Sequence, residues 1–183
     1  MNEEALISVD VETSGDSPST GSLLSIGACL VDDPTTAIYL ELKPDSDRPW
    51  SAEAQGVHGL TPDRLARDGL EPAVAMQQLE DWVLSVAAGR WPVFVGFNAP
   101  FDWMFVADAF WRHLGRNPFG ISALDLKSLY MGATGVARWA ETRKLHIEER
   151  LDIHFEQTHN ALEDARDQAL LAQALLQRPL KDE

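Results

Sequence analysis

Two carboxylates one residue apart, Asp10 and Glu12, close the short apolar run Ile7-Ser8-Val9-Asp10-Val11-Glu12 and lead into Thr13-Ser14-Gly15. Branched residues at 7, 9 and 11 alternate with polar ones at 8, 10 and 12, which is the period of a β-strand. Side chains two apart on a strand share a face, so both carboxylates point the same way and repel unless something positive lies between them. A hard, oxygen-seeking cation such as magnesium or manganese suits such a pair. Taken alone, the two acids read equally well as a solvated strand end. Three further residues bear on the question. Asp102 interrupts an otherwise apolar helical stretch, His159 stands at the mouth of the last helix, and Asp164 lies in that helix's second turn.

The elements that must position these groups follow from the hydrophobic pattern. The first strand gives way to a Ser/Thr/Gly/Pro-rich loop over 13–21, then to strands over 23–31 and 37–43. Short connections make these first three strands an antiparallel meander. Residues 51–69 mix short helical pieces with Gly and Pro. Apolar residues at 75, 79, 82, 83 and 86 mark an amphipathic helix over 72–88, with a Pro at its start and Gly89 past its end. A strand over 93–97 runs into a helix over 98–114 that is apolar nearly all round, with Asp102 in its first turn, where the helix dipole favours a carboxylate. A weak fifth strand covers 121–126, a basic-tinged helix 136–150 and an Ala/Leu-rich helix 160–177. Strands first and helix-strand units afterwards predict an α/β fold: a central mixed five-stranded sheet flanked by helices, its first strand in the middle. The acids on that strand, after the fourth strand and on the last helix then converge at one end of the sheet.

Composition narrows the class. A chain of 183 residues fits a single domain over 1–183, since domains average about 100–200 residues. Hydrophobic content of 45% with 24% charged residues is that of an ordinary globular protein. No apolar run reaches membrane-spanning length, and Glu3 and Glu4 stand where a secretory signal carries Lys or Arg, so the expected location is the cytoplasm. The single cysteine, Cys29, sits in an apolar strand with nothing electropositive beside it and reads as a buried thiol. A net charge of -14 argues against loose adhesion to nucleic acid, though divalent ions held by several acids reverse the local field.

The chain resembles the DEDDh 3'-to-5' exonucleases, the group that includes ribonuclease T, oligoribonuclease and the proofreading subunit of bacterial replicases. The first motif appears as Asp10-Val11-Glu12-Thr13-Ser14-Gly15, the second as Asn98-Ala99-Pro100-Phe101-Asp102, and the third as His159-Asn160-Ala161-Leu162-Glu163-Asp164. Val57-His58-Gly59-Leu60-Thr61 matches a block common between the first two motifs, and Arg116-Asn117-Pro118-Phe119 with Leu124-Asp125 looks most like ribonuclease T. The resemblance spans nearly the whole chain and implies a ribonuclease H-like fold. Two positions depart from the pattern: Asp16 follows the loop Gly where relatives carry an apolar wedge for the terminal base, and Phe97 stands where His is frequent.

By the resemblance, the chain is a metal-dependent exonuclease that releases nucleoside monophosphates from the 3' end of single-stranded RNA or DNA, using two Mg²⁺ or Mn²⁺ ions. Asp10 bridges both ions, Glu12 and Asp164 complete the site of the ion that binds the attacking water, and Asp102 holds the second. His159 takes the proton from that water, a task suited to an imidazole. Thr13, Ser14 and Asn98 offer donors to the last nucleotide. His58 either touches the terminal sugar or phosphate or ties down its own loop. Phe101 and Trp103 either stack on bases or, with so many apolar neighbours, pack in the core. Arg138, Arg143, Lys144 and Arg150, interleaved with Glu141, Glu148 and Glu149, read as a solvated helix face rather than a phosphate track. An oligoribonuclease-like enzyme for very short RNA, and a silent nucleic-acid-binding module of the same fold, are the alternatives. A homodimer is left open.

Overall fold

Alternating branched residues make β1 (Glu4–Thr13) the strand on which the sheet is built. Residues 3–51, 55–56, 58–155 and 158–177 are described by the computed structural model, so Val57 of the block around His58 lies outside the described residues. β2 (Leu23–Leu30) pairs antiparallel with β1, placing Asp10 opposite Gly27, and β3 (Ala37–Glu41) pairs antiparallel with β2. On the other side β4 (Trp91–Gly96) runs parallel to β1, and β5 (Ala123–Asp125) parallel to β4. The order β3-β2-β1-β4-β5 puts β1 in the centre of a mixed five-stranded sheet, as the sequence pattern predicts.

Successive side chains of β1 enter two different cores. Ile7, Val9 and Val11 join Met76, Leu79 and Val83 of α2 (Pro72–Ala87) and Phe105, Val106 and Phe110 of α3 (Ala99–Leu114); α1 (Pro62–Asp68) is a short helix before them. The opposite face of the sheet packs through Cys29 and Val95 against Leu126 and Tyr130 of α4 (Leu126–Thr134), Ile147 of α5 (Lys144–Leu151) and Ala165, Ala169 and Ala172 of α6 (Ala161–Leu176). Phe94 is fully buried, edge-on to Trp103 and Phe119 at centroid distances of 5.3 and 5.4 Å. Burying a side chain of that size contributes about 1.5–3 kcal/mol. Among the described residues no helix is long and apolar enough to cross a membrane.

The structure departs from expectation between residues 121 and 151. Only 123–125 pair as β5, because Asp125 accepts a hydrogen bond from the Ser128 amide and so caps a helix, α4, that begins at Leu126. Gly135, in the left-handed conformation (φ 70°), ends it. The helix expected over 136–150 is two pieces. A 3-10 turn, Trp139–Thr142, is closed by the Thr142 hydroxyl donating to the Trp139 carbonyl at 2.7 Å. Arg143 then extends (φ -71°, ψ 145°) before α5 starts at Lys144. Burial of Thr142 beneath the turn favours this break over a continuous helix.

Candidate active site

The carboxyl end of β1 presents Asp10 and Glu12, both half-buried, on the face that α6 covers. The helix comes close because Gly27 lies beneath its first turn: a Cβ there would sit 2.2 Å from backbone atoms of Ala161 and Leu162. Asn160 caps α6, its side-chain oxygen accepting from the amides of Leu162 and Glu163 at 3.0 and 3.3 Å. Counted from that cap, Asp164 falls in the first turn, a turn earlier than expected, where the dipole also favours its charge. Asp164, Asp10 and Glu12 offer carboxylate oxygens that all lie within 4.8 Å of one another.

Asp102 arrives from the other layer. It is 4% exposed, on the first turn of α3, and accepts from the Val11 amide at 3.1 Å, which ties α3 to β1 between the two acids. Exposed His159, just before the α6 cap and with a left-handed backbone (φ 51°), lines the same pocket. The pocket has a volume of about 280 Å³ and is also lined by Phe97, Asn98, Phe101 and Lys144.

So many acids in one place hold their protons too tightly. Asp10 is pushed up to about 8, first by loss of solvation and then by Asp164, against the pull of Lys144 and the Gln168 hydrogen bond. Glu12 is raised to about 8 by burial, Asp10 and Asp164. Asp102 is raised well above the carboxylate range by burial and Asp10, with the Val11 amide opposing. An all-oxygen set with this much uncompensated negative charge suits a hard divalent cation, which neutralises the repulsion and keeps the acids ionised. Among the described residues, Lys144 is the cation that lines the pocket, its Nζ 3.6 Å from Asp164 Oδ1.

The exonuclease family model of the RNase T group matches residues 7–172. The chain belongs to the DEDDh exonuclease family. The exonuclease is 45% identical over 171 residues to the 3'-5' DNA exonuclease Cap18 of Escherichia coli, a match covering 93% of this chain and 90% of Cap18. Its fold is that of the nuclease domain of 3'hExo bound to rAMP (TM-score 0.77, 13% identity, 97% of this chain and 94% of that one). It is also that of E. coli exonuclease I in complex with a dT13 oligonucleotide (TM-score 0.72, 19% identity, 96% of this chain). The exonuclease spans 42% of that exonuclease I chain.

Not every residue expected to meet a substrate reaches the pocket. Asn98 and Phe101 line it, Phe101 also tilting against Phe105 at 5.4 Å. Thr13 and Ser14 do not: they are 7% and 2% exposed, and loop closure occupies their hydroxyls. Thr13 Oγ1 donates to the Gly15 carbonyl, while Ser14 Oγ accepts from the Ser22 amide and donates to the Pro49 carbonyl. His58 uses Nδ1 to accept from the Leu60 amide at 3.0 Å, so it ties down its own loop, and burial holds its imidazole below the ordinary range. Asp16 is exposed and outside the pocket lining. Cys29 is buried, its Sγ donating to the Ala165 carbonyl and its thiol pushed up to about 12 by burial, which makes it inert.

Residues that sequence reasoning passed over also hold the site together. Gln168, 3% exposed, donates through Nε2 to Asp10 Oδ1 at 2.5 Å and accepts through Oε1 from the Phe97 amide at 2.9 Å. It thereby locks the central strand, the end of β4 and the last helix together. Four residues beyond Asp164, it shares that residue's face of the helix, which is the signal that was available. Asp125 joins α3 to α4 by accepting from the Ala99 amide and from Ser128. Lys144, assigned to a solvated face, instead belongs to the pocket.

Proposed function

We propose that this exonuclease removes nucleoside 5'-monophosphates one at a time from the 3' end of single-stranded DNA by metal-assisted hydrolysis. The observation that carries the reading is the convergence of Asp10, Glu12 and Asp164 within 4.8 Å beside Asp102 and His159 in one open pocket. DNA is favoured because the 45% identical relative that covers most of the chain is a 3'-5' DNA exonuclease. Asp10, Glu12 and Asp164, with Asp102 beside them, would hold a pair of divalent ions, Mg²⁺ or Mn²⁺. When bound, such ions acidify the attacking water and neutralise the charge that grows on the phosphate and leaving oxygen. Asp102, fixed by the Val11 amide, sets the distance between the two layers of the site. Gln168 orients the Asp10 carboxylate. An imidazole nitrogen of His159 accepts the proton of the attacking water. Asn98 and Phe101 bound the space for the terminal nucleotide.

The test is a 5'-labelled deoxyoligonucleotide and its RNA counterpart incubated with purified protein in Mn²⁺, Mg²⁺ or EDTA. Stepwise shortening of the DNA from its 3' end with release of mononucleotides is expected, slower on RNA and absent in EDTA. Internal cuts, or RNA degraded faster than DNA, overturn the reading. His159→Ala lowers turnover by about 10²–10⁴ while calorimetry finds Mn²⁺ bound as in the parent; equal turnover removes the general-base role.

A further inference from the structure

A chain of net charge -14 must still hold a polyanion, so the place where its cations gather is informative. Many of its surface cations rest on carboxylates, among them Lys43 on Glu71, Arg64 on Glu41, Arg112 on Asp108 and Arg116 on Glu80. Lys127 differs. Among the described residues it forms no ion pair, and its Nζ lies instead over two aromatic rings, 4.3 Å from the Trp139 centroid and 5.8 Å from that of Phe97. Lys144 Nζ stands 5.8 Å from the same Phe97 centroid while touching Asp164 in the acidic pocket. An aromatic face holds an ammonium in place without neutralising it, unlike a carboxylate, so the charge stays available to a phosphate. Phe97 lines the pocket, and Trp139 is 51% exposed on the 3-10 turn. A line of alternating cations and rings, Lys144, Phe97, Lys127 and Trp139, therefore leads out of the acidic pocket.

We propose that this line is the rest for the single-stranded DNA immediately 5' of the scissile bond, Lys144 and Lys127 meeting successive phosphates while Trp139 holds Lys127 in place and offers its exposed indole to a base. Rings interleaved with cations are what a sequence-tolerant single-strand groove requires. The inference rests on the substrate reading above. The break between the 3-10 turn and α5 puts Trp139 and Lys144 on separate elements, Trp139 against Lys127 and Lys144 beside Phe97.

Lys127 is the residue to change, because it makes no ion pair with the acids. Binding of a fluorescent octathymidylate is measured by anisotropy in Mn²⁺ at several salt concentrations, all proteins carrying His159→Ala to slow hydrolysis. Lys127→Ala is expected to weaken binding about 3-fold or more and to reduce the slope of log affinity against log salt by about 0.7, the value for one phosphate contact on a single strand. Lys127→Glu weakens it further and Lys127→Arg restores it. Trp139→Ala weakens binding about 5-fold or more. Thymidine 5'-monophosphate, which has no upstream strand, binds the parent and the Lys127 variants alike. Octamer affinity and salt slope unchanged in Lys127→Glu overturn the proposal. If the His159→Ala parent fails to bind the octamer and the unmodified protein fails to shorten it, the substrate reading itself falls; if only the variants fail to differ, the strand rest alone falls.

Discussion

Asp10 works against the fold that it serves. Raised to about 8 by desolvation and by Asp164, it and Glu12 at about 8 make this end of β1 unfavourable to ionise without a cation. Asp10→Asn removes one of the repelling charges while keeping an acceptor for Gln168. We expect it to raise the melting temperature in EDTA at about pH 9, where the Asp10 carboxyl is ionised, each about 1 kcal/mol gained being worth about 2–4 °C in a chain of this size. The same variant should lose at least about 100-fold in turnover; thermal scans beside initial rates check both, and an unchanged or lower melting point contradicts the electrostatic account. The acids were legible in the sequence because a strand's period and the first turn of a helix place side chains predictably. Gln168 and Lys144 were not. A glutamine in an Ala/Leu-rich helix and a lysine among glutamates both read as solvated, and only packing against distant elements turns them into the site.

Among the elements, β1 and α2 show clear periodicity and β2, α3 and α6 are apolar or Ala/Leu-rich runs, and all appear near their predicted bounds. The helix α4 went unread although Leu126, Leu129, Tyr130 and Ala133 have helical spacing. It is nine residues long with Gly132 inside, too short to be stable without the core that Leu126 and Tyr130 enter. The seam between β2 and α6 is the most demanding contact. Gly27→Ala drives a methyl into the backbone of Ala161 and Leu162, so α6 must lift. We expect a loss of about 1–3 kcal/mol or more, read by urea denaturation, and a fall in turnover out of proportion to it, since Asp164 moves with the helix. Full activity in a folded Gly27→Ala protein contradicts this account of how the site is held.

For the whole molecule, the raised carboxyls set the response to pH. Asp10 and Glu12 keep protons that the unfolded chain has released above its ordinary carboxyl range, so their stabilising effect is complete at acid pH and lost as pH climbs through about 8. Glu80, held low by Arg116, acts with the opposite sign as pH falls through the carboxyl range. The melting temperature in EDTA should therefore decline between about pH 5 and pH 8 and level off above, and saturating Mn²⁺ should flatten the decline by binding the ionised acids; differential scanning fluorimetry in both buffers measures it, and parallel curves contradict it. The bond between Gln168 and Asp10 joins residues 158 positions apart. A chain still emerging from the ribosome consequently carries Asp10 and Glu12 without Gln168 and Asp164 until α6 has been made. The acidic pocket is assembled only when α6 docks on β1.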